Sequence, residues 1–373
     1  MKLQRTTRLV AVLAAGTLAV AACGSSDDTD TAATDGASTG TSPAAASLSG
    51  TISGAGASSQ TSAMQGWIAG YQTINEGVTI NYDPVGSGGG RDQFTAGGVA
   101  FAGSDRAMDA EEITAAAARC ATGASVVNLP LYISPIAVAF NLEGIEKLNL
   151  KPATLAQIFN QQIANWNDPA IAADNPDATL PDLAITPVNR SDDSGTTENF
   201  TDYLAVTAGA DWPYEADGEW PVAGGEAGNG TSGVISAIQA GNGAIGYADA
   251  SQVADLGTVA VGVGSEFVEY SAEAAAAVVA GSPRDETRLP GDVVIELARD
   301  TTTGGEYPIV LVSYSLACTS YEDAAEGELV KSFLSYIASE EGQDVAAESA
   351  GSAPISDELR TEVLVSIDAI NAS

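Results

Sequence analysis

The chain has 373 residues, 45% of them hydrophobic and 17% charged, enough to bury one large or two medium cores. Its 49 acids against 14 bases give a formal net charge of −35, which excludes nucleic acid as a partner, because holding a phosphate backbone relies on neutralisation by Lys and Arg. With no histidine in the chain, a Ser-His-Asp triad and imidazole metal ligands are excluded too.

Lys2, Arg5 and Arg8 form a basic head, an apolar run follows from Leu9, and small residues close it, the pattern of an export signal over residues 1–22. The run is shorter than the ~20 residues of a membrane span. It ends in Val20-Ala21-Ala22-Cys23, which resembles a bacterial lipobox. That resemblance implies cleavage before Cys23, lipidation of its thiol and attachment to the outer face of a membrane; the alternative is an ordinary signal peptide in which the cysteine falls by chance. Residues 23–47 carry no aromatic or large aliphatic side chain and predict a flexible acidic tether. Within them Gly36-Ala37-Ser38-Thr39-Gly40 matches the G-x-S-x-G nucleophile motif, but no strand precedes it and no helix follows, so it carries no chemistry. Cys120 and Cys318 are left as an even pair in an oxidising compartment. A disulfide between them closes a loop of about 200 residues, worth on the order of 5 kcal/mol by chain entropy; two separate buried thiols are the alternative.

From Leu48 onward short apolar runs alternate with helical patterns. The segments "VTINYDPV", "ASVVNLPLYISPIAVAFNL", "LAITPVNR", "GAIGYADA" and "YPIVLVSYSLA" predict strands. Between and after them, "TLAQIFNQQIANW", "TENFTDYLAVTAG", "TSGVISAIQAG", "SAEAAAAVVAG" and "ELVKSFLSYIASEEGQDVAAESAG" predict helices, several closed by glycine. The alternation defines an α/β architecture with helices flanking mixed sheets.

Glycine- and hydroxyl-rich turns stand at four strand-to-helix junctions: Gly54-Ala55-Gly56-Ala57-Ser58-Ser59-Gln60, Gly86-Ser87-Gly88-Gly89-Gly90, Ala102-Gly103-Ser104-Asp105 and Ser194-Gly195-Thr196-Thr197. Small residues let backbone amides approach a ligand, and a helix N-terminus adds free N–H groups and partial positive charge, so together the turns describe an oxyanion cradle. Taken singly, each is weak evidence, because Gly-Ser turns that cap helices are commonplace. Arg190, in "NRSDDSGTTENF", supplies a planar fork suited to a tetrahedral oxyanion, and Asp192 is placed to hold the guanidinium; a solvent-exposed loop ion pair is the plainer alternative. A carboxylate such as Asp105 repels a fully ionised anion. It fits a ligand whose oxygen carries a proton, as protonated phosphate does and sulfate does not.

In order, "GAGASSQ", "GSGGGRDQF", "FAGSD", "LPLYISPIAVAFN", "NRSDDSGTTENF", "GAIGYAD" and "YPIVLVSYSLA" resemble the phosphate-binding proteins of Pst-type ABC importers, from about residue 48 to the end. The resemblance implies a two-lobed type II periplasmic-binding-protein fold with the ligand cleft between the lobes. Lobe I is expected from 48–131 and 307–373, lobe II from 132–306, with hinges near Tyr132-Ile133-Ser134 and Glu306-Tyr307-Pro308. It implies phosphate contacts from Ser58 by its hydroxyl, Ser59 by its amide, Ser87, Asp105 as acceptor, and Arg190, Ser194, Gly195 and Thr196, with Asp192 orienting the arginine. It further implies a monomer without catalytic residues, cofactor or metal, an ABC permease as partner, and membrane contact through the lipid anchor alone. The cysteine pair resembles the actinobacterial branch of the family. Ser59-Gln60-Thr61 departs from the aromatic or proline-containing stretch of Gram-negative relatives.

Competing readings are weaker. Gly228-Asn229-Gly230-Thr231-Ser232-Gly233 satisfies the dinucleotide pattern G-x-G-x-x-G, but "EADGEWPVAGGEA" ahead of it is loop-like; the second match, Gly241 to Gly246, has its helix before and its strand after. A phosphoryl hydrolase could use the hydroxyls, Asp105 and Arg190. A carboxylate-only metal site lacks EF-hand spacing. A receptor for another oxyanion such as phosphonate or sulfate, and a surface sensing or adhesion lipoprotein, complete the alternatives.

Overall fold

The apolar run Val126–Phe140 forms one strand of 15 residues buried along its whole length, as a run without alternation predicts, and the fold is built around it. The computed structural model describes residues 48–253 and 255–372; the export signal (1–22), the lipidation position Cys23 and the tether (23–47) lie outside the described residues. Ahead of the long strand come β1 (Gly50–Gly56), α1 (Thr61–Ile74), β2 (Val78–Asp83), α2 (Ser87–Thr95), β3 (Phe101–Ser104) and α3 (Ala110–Ala116). The long strand is β4, followed by β5 (Lys147–Leu150), α4 (Pro152–Phe159), α5 (Pro169–Asp174), β6 (Thr186–Arg190), α6 (Gly195–Ala208), β7 (Glu226–Gly228) and α7 (Gly230–Ala240). The chain continues through β8 (Ala244–Asp249), β9 (Gly257–Val263), β10 (Glu266–Val268) and α8 (Ala272–Gly281), then β11 (Val310–Cys318), β12 (Ser320–Tyr321), α9 (Ala324–Ala338), α10 (Glu340–Ala350), α11 (Asp357–Asp368) and β13 (Asn371–Ala372).

Two groups of parallel strands share β4. In the first, β1 pairs in parallel with β2 and β3, and β11 runs antiparallel between β3 and β4. Opposite β11 stand β4 residues Val126 to Pro135; from Ile136 the strand changes partner and pairs with β8, which carries β6 and β7 in parallel. The last residues of β4 also meet β9, which holds β5 and β10. The β4–β11 register shifts between Ser313 and Tyr314, where Pro130 of β4 has no N–H to give to the ladder. The segment returning from α8 lies along the first half of β4: Asn128 N–H donates to Asp292 (2.7 Å), Val293 N–H to the Asn128 carbonyl (3.1 Å), and Arg284 pairs with Glu362 of α11 (3.2 Å).

The strands expected from the five apolar runs all form, and two helices differ from expectation. The C-terminal helical run is two helices, because the Ser339 side chain caps the amide of Gly342 and starts α10 anew. The run from Thr154 stops at Phe159, since Gln161 takes a left-handed conformation (φ 60°). A disulfide joins Cys120 to Cys318, tying the segment after α3 to the end of β11 across 198 positions of sequence.

Candidate functional site

The parallel strands β1, β2, β6 and β7 each feed a helix, and the N-termini of α1, α2, α6 and α7 come together outside their carboxyl ends. Open α/β sheets bind ligands in that crevice. Three contacts tie the junctions to one another. The Gly86 amide donates to the Gly56 carbonyl (2.9 Å), the Gly88 amide to the Asp193 carbonyl (3.2 Å), and the Thr231 amide to the Ser58 hydroxyl (3.0 Å), which also lies 3.0 Å from the Thr231 hydroxyl. The approach is close enough to need glycine: a methyl group on Gly195 would stand 2.7 Å from Ser87 Oγ and 2.8 Å from Asp105 Cβ.

Arg190 ends β6 with its side chain only 2% exposed, so it is not the solvent-exposed loop ion pair. Its Nε and Nη2 grip Asp192 bidentately, with Nε–Oδ1 at 2.9 Å. Asp192 Oδ1 also accepts the Gly230 amide at the start of α7 (3.0 Å). Burial works to raise the Asp192 carboxyl, yet the hydrogen bonds and charge of Arg190 outweigh it and hold the group below its ordinary value. Behind the arginine, Tyr247 of β8 stacks on Phe200 (4.4 Å between centroids), and its hydroxyl lies 2.7 Å from that of Thr197.

Asp105, which follows β3, is 3% exposed. Its Oδ1 accepts the hydroxyls of Ser59 and Ser313, both at 2.6 Å, and its Oδ2 accepts that of Thr196 (2.8 Å). Its amide donates to Ser87 Oγ (3.1 Å). Gln60 Nε2 donates to Ser313 in turn. Ser194 caps α6, its side chain accepting the Thr197 amide (3.2 Å). Thus Ser58, Ser59, Ser87, Asp105, Arg190, Asp192, Ser194, Gly195 and Thr196 all stand around one buried locus.

Charge pairs link the two groups of strands at its rim. Arg91 of α2 reaches Glu112 (3.0 Å) and Asp193 (3.4 Å), while Arg106 pairs with Glu112 (2.6 Å) and with Glu198 of α6 (2.8 Å). Burial would raise Glu112, but hydrogen bonds from Arg106 and the Asp109 amide bring it down to about 2. Farther in, the Tyr132 hydroxyl of β4 lies 3.1 and 3.2 Å from the oxygens of Asp249 at the end of β8. Among the described residues no cluster of three or more carboxylate, histidine or cysteine groups is placed to hold a metal ion.

Sequence reading missed Gln60, Arg91, Asn199, Thr231, Tyr247 and Ser313. For Thr231 a signal was present: "GNGTSGV" is a further glycine and hydroxyl turn opening a helix. The residues before it, expected as loop, end in the short strand β7. Ser313 gave no signal, being one small polar residue inside an apolar strand whose register places it opposite Tyr132.

An α/β body whose two strand groups bring four helix N-termini together between them is that of a periplasmic-type binding protein, and residues 41–341 match the family profile described as "PBP superfamily domain". "Phosphate-binding protein PstS3" of Mycobacterium bovis (strain BCG / Pasteur 1173P2) is 35% identical over 382 residues, covering 99% of this chain and 100% of the relative. "Phosphate-binding protein PstS" of Xylella fastidiosa (strain Temecula1 / ATCC 700964) is 35% identical over 306 residues, covering 80% and 79%. The chain belongs to the PstS family of phosphate-binding proteins. The fold is similar to that of "a high affinity periplasmic phosphate-binding protein (PfluDING) bound with phosphate", with a TM-score of 0.68, 22% identity, and coverage of 85% of this chain and 93% of that one. Among the described residues no helix is long and apolar enough to cross a membrane.

Proposed function

We propose that this chain is the extracytoplasmic receptor of a phosphate ABC importer, capturing inorganic phosphate and delivering it to the membrane permease. One observation carries the reading: a buried guanidinium locked on Asp192 stands among four helix N-termini, with Asp105 as the single carboxylate inside the cluster of Ser58, Ser59, Ser87 and Thr196. Membership of the PstS family supports it. In this reading phosphate is held by the free edge of Arg190, the first-turn amides of α6 at Gly195 and Thr196, the hydroxyls of Ser58, Ser87 and Ser194, and the Ser59 amide, while Asp105 accepts a hydrogen bond from the ligand's protonated oxygen. Such hydrogen bonds strengthen in a closed, low-dielectric cleft, and no bond to the ligand is made or broken.

Two lobes, one per strand group, close on the ligand about the point where β4 changes partner and the approach to β11 through Pro308; the segment 283–297 travels with the first lobe, against which it packs. Cys23 carries the lipid that keeps the monomeric protein at the outer face of the membrane.

Calorimetric titration of residues 47–373, unfolded and refolded to strip bound ligand, tests the reading. Micromolar or tighter phosphate binding with sulfate inert is expected, and no heat with either anion overturns it. Asp105→Asn should relax the exclusion of sulfate; unchanged selectivity in that variant removes the role given to Asp105.

A further inference from the structure

Asn199, in the first turns of α6, is 6% exposed and has both ends of its amide engaged. Its Nδ2 donates to the Gly195 carbonyl four positions earlier on the same helix (2.8 Å) and to the Asp105 carbonyl beyond the end of β3 (2.7 Å). Its Oδ1 accepts Nη2 of Arg299. The orientation of the amide is therefore fixed: a guanidinium has no acceptor, so the oxygen must face Arg299 and the N–H groups must face the two carbonyls. Arg299 is itself 4% exposed. Its Nε donates to Asp202 (2.9 Å) and its Nη1 to the carbonyls of Pro308 (3.2 Å) and Val310 (2.6 Å), where β11 begins.

We propose that Asn199, locked by Arg299, is the positioning residue that sets the spacing between Asp105 and the first turn of α6, and ties that spacing to the start of β11. The inference rests on the phosphate reading of the site and adds to it two residues that make no contact with the ligand. Asp105 belongs to the turn after β3 in one strand group and Gly195 to the helix after β6 in the other. One side chain bonded to both carbonyls fixes the gap into which a tetrahedral anion must fit. Loss of Asn199 leaves the Asp105 carbonyl and one edge of a buried guanidinium without the partner it supplied, while the Gly195 carbonyl keeps the helical amide of residue 199.

The test is phosphate titration of the full chain as wild type, Asn199→Ala, Asn199→Asp, Arg299→Lys and the Asn199→Ala/Arg299→Lys double variant. Each single variant is expected to lose affinity by about tenfold to a hundredfold. Asn199→Asp keeps the size and pairs with Arg299, but turns a carboxylate onto two carbonyl oxygens, so it loses as much as the alanine variant. The double variant should bind no more weakly than the worse single one, because both act through one contact. Binding by Asn199→Asp within about twofold of wild type, or single losses that multiply in the double, overturns the proposal. If the wild type takes up no phosphate, the functional reading fails, and amide hydrogen exchange of the ligand-free proteins then decides the positioning role. Faster exchange at 103–106 and 195–197 in Asn199→Ala and Arg299→Lys alike, with α9 unaltered, supports it; unchanged exchange in those segments overturns it.

Discussion

Arg190 and Asp192 lie two positions apart, which made their pairing legible in the sequence; their burial was not, because it depends on α2 and α7 arriving from elsewhere in the chain. In the proposed reading the guanidinium is the countercharge of the bound anion. Arg190→Gln is expected to cost at least about 2 kcal/mol of phosphate binding by calorimetry, with the thermal midpoint of the ligand-free protein changed far less. A second buried group makes a prediction about pH. Asp249 is 0% exposed, and burial pushes its carboxyl up to about 7, with the Asp105 charge adding to the effect and hydrogen bonds from Ser251 and Ser134 opposing it. A carboxyl with a raised folded-state pKa keeps its proton where the unfolded chain has released it. Its contribution to stability is therefore lost as pH rises from about 4 through about 7. Asp249→Asn should abolish a loss on the order of a few kcal/mol across that window, read as the difference between variant and wild type in urea unfolding at successive pH values.

At the scale of elements, periodicity found the buried strands because runs such as Val310–Cys318 are largely apolar, broken only by the small Ser313 and Ser315, and show no alternation between a buried and an exposed face. It failed where a single residue's backbone decided the outcome. Ser339 lies within an unbroken helical pattern, yet its hydroxyl competes for the Gly342 amide and divides the run. Packing then makes Gly342 indispensable: its carbonyl accepts the Trp67 indole N–H (2.7 Å), and a Cβ there would fall inside contact distance of the Tyr336 carbonyl oxygen. Gly342→Ala is expected to destabilise the protein by about 1–3 kcal/mol in urea unfolding, while leaving the phosphate affinity of the folded fraction unchanged. The helix N-termini were visible as glycine and hydroxyl turns. Their convergence was not, since nothing local says which turns share an end of a sheet.

For the molecule as a whole, the disulfide is a long-range covalent constraint, and with a sequence separation of 198 between its cysteines its removal should act mainly through the unfolded chain. Replacing Cys120 and Cys318 by serine is expected to lower the unfolding free energy by up to about 5 kcal/mol, read as a lower denaturant midpoint, with phosphate affinity retained where the protein is folded. The net charge of −35 is compatible with anion binding because distant carboxylates are screened within about 10 Å at ordinary salt, whereas in the proposed site Arg190 and the helix N-termini act at contact. Raising the salt should therefore quicken phosphate association modestly in stopped-flow measurements and leave the preference over sulfate unchanged.

The sequence by itself determined the α/β class, the buried strands, the even cysteine pair, and a set of turns and one arginine fit for an oxyanion, because each of these is written in residue type and short-range spacing. Only the tertiary structure decided that β4 serves both strand groups, that Thr231 faces Ser58 from a turn 173 positions away, that Ser313 reaches Asp105, and that Asn199 bonds both the Asp105 carbonyl and Arg299. Those contacts depend on strand order and register, and a chain carries no local mark of which of its segments will become neighbours.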